Sequence, residues 1–170
     1  DADREEKVTE AKAHMTAMRL ERARGLKGIA RFYEKKRQWV AAHTYYGQIN
    51  QALIIDVLND PDHEAEAKEL QSFANKRLSE ELFQWRVRDA VGQYAEAQKA
   101  EKKNRPYTAQ REYRKVKLNL EILPADLERA ATGAEIDLVR LQEIQSAVTA
   151  DLERIQQLLD ERELARSRED

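Results

Sequence analysis

Residues 33–49 of this chain, Tyr-Glu-Lys-Lys-Arg-Gln-Trp-Val-Ala-Ala-His-Thr-Tyr-Tyr-Gly-Gln-Ile, return at 100–116 as Ala-Glu-Lys-Lys-Asn-Arg-Pro-Tyr-Thr-Ala-Gln-Arg-Glu-Tyr-Arg-Lys-Val. The copies share Glu34/Glu101, Lys35/Lys102, Lys36/Lys103, Ala42/Ala109, Tyr46/Tyr113 and Ile49/Val116, each pair 67 residues apart. A helix break falls at the same place in both, so one structural unit is used twice. The echo predicts an all-α chain of antiparallel helical hairpins, an architecture that usually serves as a binding surface and not as a catalyst.

The rest of the chain agrees with helices. Only five Gly and three Pro punctuate 170 residues, and good helix formers dominate. Val8, Ala11, Met15, Met18, Leu26, Ile29 and Tyr33 recur at helical spacing, broken once by Arg22. They predict a long helix over about residues 4–36, followed after Arg37-Gln38 by a shorter one carrying Val40, Tyr45, Ile49 and Leu53. Asn59-Asp60-Pro61-Asp62 should stop that helix and start the next, with Asp60 as N-cap and Pro61 in the first turn. No proline intervenes before Lys103, and Asn104 and Pro106 then end one helix and open another bearing Ala109, Tyr113, Val116 and Leu120. The repeat body thus covers 1–124. Over 125–170, Thr132-Gly133-Ala134-Glu135 has capping-box spacing and should open a final long amphipathic helix. Its seam, Leu138, Leu141, Gln145, Val148, Leu152, Ile155 and Leu159, is heptad-like with one polar site. All eleven aromatics lie between Phe32 and Tyr113, so that aliphatic seam needs a cover, either the repeat body or another chain.

Candidate chemistry is sparse. The chain has no cysteine, which removes disulfides, thiolate metal sites and thiol catalysis. Apolar runs such as Ala52-Leu53-Ile54-Ile55 are far too short for a membrane span or a signal peptide within these residues. His14, His43 and His63 form no i, i+4 pair. Asp60, Asp62, His63, Glu64 and Glu66 concentrate oxygen and imidazole donors, but helix capping accounts for them and the calcium-loop spacing is absent. No phosphate loop, nucleophile elbow or paired-carboxylate pattern can be located. The reading is non-enzymatic, with no cofactor and no metal.

Charge is distributed unevenly. Residues 19–37 hold eight Lys or Arg against Glu21 and Glu34, residues 99–117 hold eight against Glu101 and Glu112, and the chain beyond Leu120 is acidic. The elbow residues Lys35, Lys36, Arg37, Trp39, Lys102, Lys103 and Arg105, together with the terminal seam Leu138, Leu141, Val148, Leu152, Ile155 and Leu159, are the candidate partner-binding residues. Their expected partners are other protein subunits. The alternative is a basic helical module for nucleic acid or an anionic membrane surface.

Leu26, Ile29, Ala30, Tyr33, Trp39, Ala42, Tyr46 and Ile49 resemble the large and small packing positions of a tetratricopeptide repeat hairpin. The run from Ile29 to Ala42 is similar to repeats of the BamD-like outer-membrane-assembly lipoproteins, and Asp60-Pro61-Asp62 with Ala65, Ala67 and Leu70 is similar to that family's next helix. The resemblance implies a right-handed tetratricopeptide-like array and a scaffold role in a multiprotein complex of the bacterial envelope. It also implies a periplasmic location with an anchor outside this chain, a cytoplasmic adaptor being the alternative. Arg37 stands where the family often has a turn glycine, and the family's lipidated cysteine is missing here.

Overall fold

Helix α1 (Ala2–Lys35) begins where the Asp1 carboxylate accepts from the backbone N–H of Asp3, with Asp3 and Glu5 at the positive end of its dipole. It ends in a Schellman turn. Arg37 adopts the left-handed conformation at φ 57°, Gln38 N–H donates to Tyr33 O at 3.0 Å, and Arg37 N–H donates to Glu34 O at 3.0 Å. Helix α2 (Trp39–Ala52) follows at once and packs on α1. A short α3 (Ile55–Leu58) then leads to α4 (Glu64–Lys76) and a π-helical turn at Arg77–Glu81. The remaining helices are α5 (Leu82–Lys102), α6 (Pro106–Asn119), α7 (Pro124–Ala134) and α8 (Leu138–Glu169). This computed structural model describes residues 1–169, among which there is no strand, so the chain is all-α.

The chain divides into two compact units, Asp1–Leu82 and Phe83–Asp170. That boundary lies inside a helical stretch and not at Pro124. In the first unit, α1 contributes Leu20, Ala23, Leu26 and Ala30, α2 contributes Ala42, Tyr46 and Ile49, and Val57, Ala67, Leu70 and Ala74 close the core from α3 and α4. In the second, Val87, Ala90, Tyr94 and Ala97 of α5 join Ala109, Tyr113 and Val116 of α6, Leu127 and Ala131 of α7, and the buried face of α8. Alanines at the fully buried contacts let helices approach closely.

Three local expectations need correction. Pro61 does not open α4: the Asp60 carboxylate instead accepts from Asp62 N–H at 3.0 Å and lies 3.1 Å from His63 Nδ1, folding residues 60–63 into a turn before the helix starts at Glu64. Thr132 caps nothing, because its hydroxyl donates to Glu128 O four residues back and Thr132–Ala134 is the last turn of α7. Glu135, expected at the third position of the final helix, is the left-handed cap that ends α7, and Asp137 receives the Val139 N–H at the start of α8. The terminal seam is covered within its own unit. Leu141, Val148, Ile155 and Leu159 are buried there, and Leu138 and Leu152 pack against the same cluster.

Candidate functional site

The two elbows end in the same hydrogen bonds. In the second, Asn104 takes φ 57°, its N–H donates to Glu101 O at 3.0 Å, and Arg105 N–H donates to Ala100 O at 2.9 Å. Twelve residues on, the matched tyrosine of the following helix reaches back: Tyr46 Oη donates to Glu34 Oε1 at 2.9 Å, and Tyr113 Oη donates to Glu101 Oε1 at 2.8 Å. Each glutamate also meets an arginine from a third segment. Arg77 Nε lies 3.1 Å from Glu34 Oε1 and the same guanidinium pairs with Glu81. Arg154 holds Glu101 with two nitrogens, at 2.7 and 3.1 Å, and Asp151 with a third at 2.8 Å. Tyr94 Oη then donates to Asp151 Oδ2 at 2.9 Å, and the Tyr94 and Tyr113 rings meet edge to face. Each elbow is thus tied by a tyrosine, a glutamate, an arginine and a second carboxylate.

These clasps are structural, since every charged member finds a partner of opposite sign. Bonds from Arg154, and secondarily from Tyr113, hold the Glu101 carboxyl below its usual range. Burial first, and then the bond to Glu34, pushes the Tyr46 hydroxyl from 10.0 up to about 12, and Tyr113 moves in the same direction for the same reasons. Two pH effects follow by linkage. The Glu101 contribution is complete above the ordinary glutamate value of 4.5 and is lost as pH falls through the lower folded value. The tyrosine contribution is complete below 10.0 and is lost as pH rises towards about 12. Urea midpoints should therefore fall above pH 10 in the native chain, and fall less steeply in a Tyr46→Phe/Tyr113→Phe variant. Parallel curves would separate these hydroxyls from alkaline stability.

Outside the clasps the elbows are cationic. Lys35, Lys36, Arg37, Lys102, Lys103 and Arg105 are all exposed, whereas Trp39 is buried and serves the packing of α2. Lysines at the ends of α1 and α5 also face the negative ends of those helix dipoles. Lys36 lies 5.7 Å over the ring of exposed Phe32, whose neighbour Tyr33 stacks on Tyr45 at 5.3 Å. The structure thus brings the six elbow cations to the surface in two groups, while most of the seam residues of α8 are occupied inside the second unit. Sequence reasoning registered Glu34 and Glu101 as matched but missed Arg77 and Arg154, which do not share the 67-residue offset and carry no repeat signal.

Among the described residues no group of three or more His, Cys, Asp or Glu side chains is placed to hold a metal ion, and no helix is long and apolar enough to cross a membrane. A polar depression in the second unit is lined by Gln98, Glu101, Lys102, Tyr113, Asp151 and Arg154, most of which the clasp already engages. No protein-family model, curated protein or solved structure matches the chain.

Proposed function

We propose that the chain is a non-catalytic scaffold or adaptor, in which two antiparallel helical hairpins of tetratricopeptide type present paired basic elbows to an acidic surface on another protein. The observation that carries this reading is the way the echo divides. Its inner members, Glu34/Glu101, Ala42/Ala109, Tyr46/Tyr113 and Ile49/Val116, are buried or clasped, while its outer members, Lys35/Lys102 and Lys36/Lys103, are exposed. A duplicated framework explains the first set. The same cations on the outside of each of two otherwise different units suit an acidic protein surface, with charge setting orientation and encounter rate. The envelope setting, with protein assembly at the outer membrane, rests on the resemblance alone.

Replacing Lys35, Lys36, Lys102 and Lys103 together by Glu should abolish salt-sensitive capture of the partner protein from the cells that make this chain, with helicity unchanged. Micromolar, salt-dependent binding to random DNA by the native chain would favour a nucleic-acid module instead. The hairpin half of the proposal has its own check. Ala42 and Ala109 are fully buried. Ala42→Leu or Ala109→Leu should therefore overpack the helix contact and cost about 1–3 kcal/mol. Unchanged thermal midpoints in both variants would remove the packing argument.

A further inference from the structure

Helix α1 has a second stripe that the fold leaves uncovered. Its inward face carries Leu20, Ala23, Leu26 and Ala30, yet Val8, Met15 and Ile29 fall on one seven-residue repeat whose remaining place is Arg22, Ala11, Met18 and Phe32 fall on another whose remaining place is Gly25, and all six are exposed. Met15, Met18 and Phe32 each leave more than half of their surface in water, at 52%, 56% and 55%. A seven-residue repeat over four turns and more is the pattern that seats a second helix. Gly25 and Gly28 supply an independent sign. Both lie inside α1, where glycine is costly relative to alanine, and a Cβ at either would meet nothing within 4 Å, so the fold itself does not require them. Gly25 stands in the stripe, where only an incoming backbone would profit from the missing side chain.

The charges beside the stripe say what kind of helix fits. Lys7, Lys12, His14, Arg19 and Lys35 flank it against Glu5 and Glu21, and Arg22 occupies a seam position. A second copy is a poor occupant. Side by side in parallel, Lys7 of one copy would face Lys12 of the other and His14 would face Arg19, and the reversed arrangement sets Lys12 against Arg19. We infer that the outer stripe of α1 docks an amphipathic helix from another protein, with apolar seam residues, carboxylates at its flanks, and its closest approach at Gly25. This deepens the protein-binding reading and rests on it, and the stripe runs back along α1 from the first elbow, which it meets only at Phe32 and Lys35.

The test uses the full chain and a synthetic helix of about four heptads, with Leu at the seam and Glu at the flanking positions, beside a twin carrying Lys at those flanks. Fluorescence anisotropy should give micromolar binding of the Glu peptide and at least about tenfold weaker binding of the Lys peptide. Met15→Gln/Met18→Gln and Gly25→Leu should each weaken the Glu peptide by at least about tenfold, with the circular dichroism of the exposed-site variants unchanged. Gly25→Ala should raise Tm while lowering affinity. Equal binding of both peptides, binding of neither, or indifference to Met15→Gln/Met18→Gln overturns the proposal. So does a dimer in sedimentation velocity that the same double variant disperses, since a second copy would then cover the stripe. Peptide binding and salt-sensitive capture at the elbows are separate readouts, so failure of one leaves the other standing.

Discussion

Ile155→Asp should unfold the second unit. Ile155 is fully buried in the cluster that joins α5, α6, α7 and α8. The substitution forfeits about 1.5–3 kcal/mol of apolar burial. It also sets a carboxylate among apolar side chains at a cost of several more. The total of about 5 kcal/mol or above reaches the stability of an ordinary domain. Gln157→Asp, on the exposed side of the same helix, should change stability by no more than about 0.5 kcal/mol. Thermal melts by circular dichroism make the comparison. Equal midpoints in the two variants would mean that α8 does not need its seam covered within the unit.

Arg86→Met should cost about 2–4 kcal/mol, read from urea denaturation, because it uncaps a buried helix end. Helix α6 stops at Asn119 without a left-handed residue, so no Schellman turn caps it, and its end carries only short turn bonds, Glu121 N–H donating to Leu118 O at 3.3 Å and Ile122 N–H to Leu120 O at 2.9 Å. Arg86, only 5% exposed, fills that role: Nε donates to Asn119 O at 3.1 Å, and Nη2 donates to Leu118 O at 3.1 Å and to Glu121 O at 3.0 Å. Gln145 Nε2 adds a bond to Leu120 O at 2.8 Å. The positive charge also answers the negative end of the α6 dipole. Arg88→Met, at an exposed position of α5, the helix that carries Arg86, should be nearly neutral.

Much of this was legible in the residues, for reasons that can be named. The spacing of Leu26, Ala30, Ala42 and Tyr46 is a local periodic signal, and so are the breaks at Arg37 and Asn104, and the structure places helices and left-handed turns there. The polar interior was not legible. Arg77, Arg86 and Arg154 carry no local signal in the sequence, because nothing nearby says that a carbonyl or a carboxylate from a distant segment will meet them. Gln145 read as the one polar site of the seam, whereas its amide caps α6, a role visible only once α8 lies beside that helix end. Thr132 and Asp60 show a third kind of miss. Short polar side chains serve several turn and cap geometries equally well, and tertiary packing chooses among them.

Photo-crosslinking from positions 36 and 103, with the label placed in the full chain inside the cells that make it, is the most direct test of the paired-elbow account. Both side chains are exposed and lie just past the ends of α1 and α5, so a label at either site samples what the elbow touches. The account predicts adducts to the same protein from both positions, lost when the neighbouring lysines Lys35 and Lys102 are reversed to Glu. Adducts to nucleic acid or lipid, or adducts to unrelated proteins from the two positions, would contradict it.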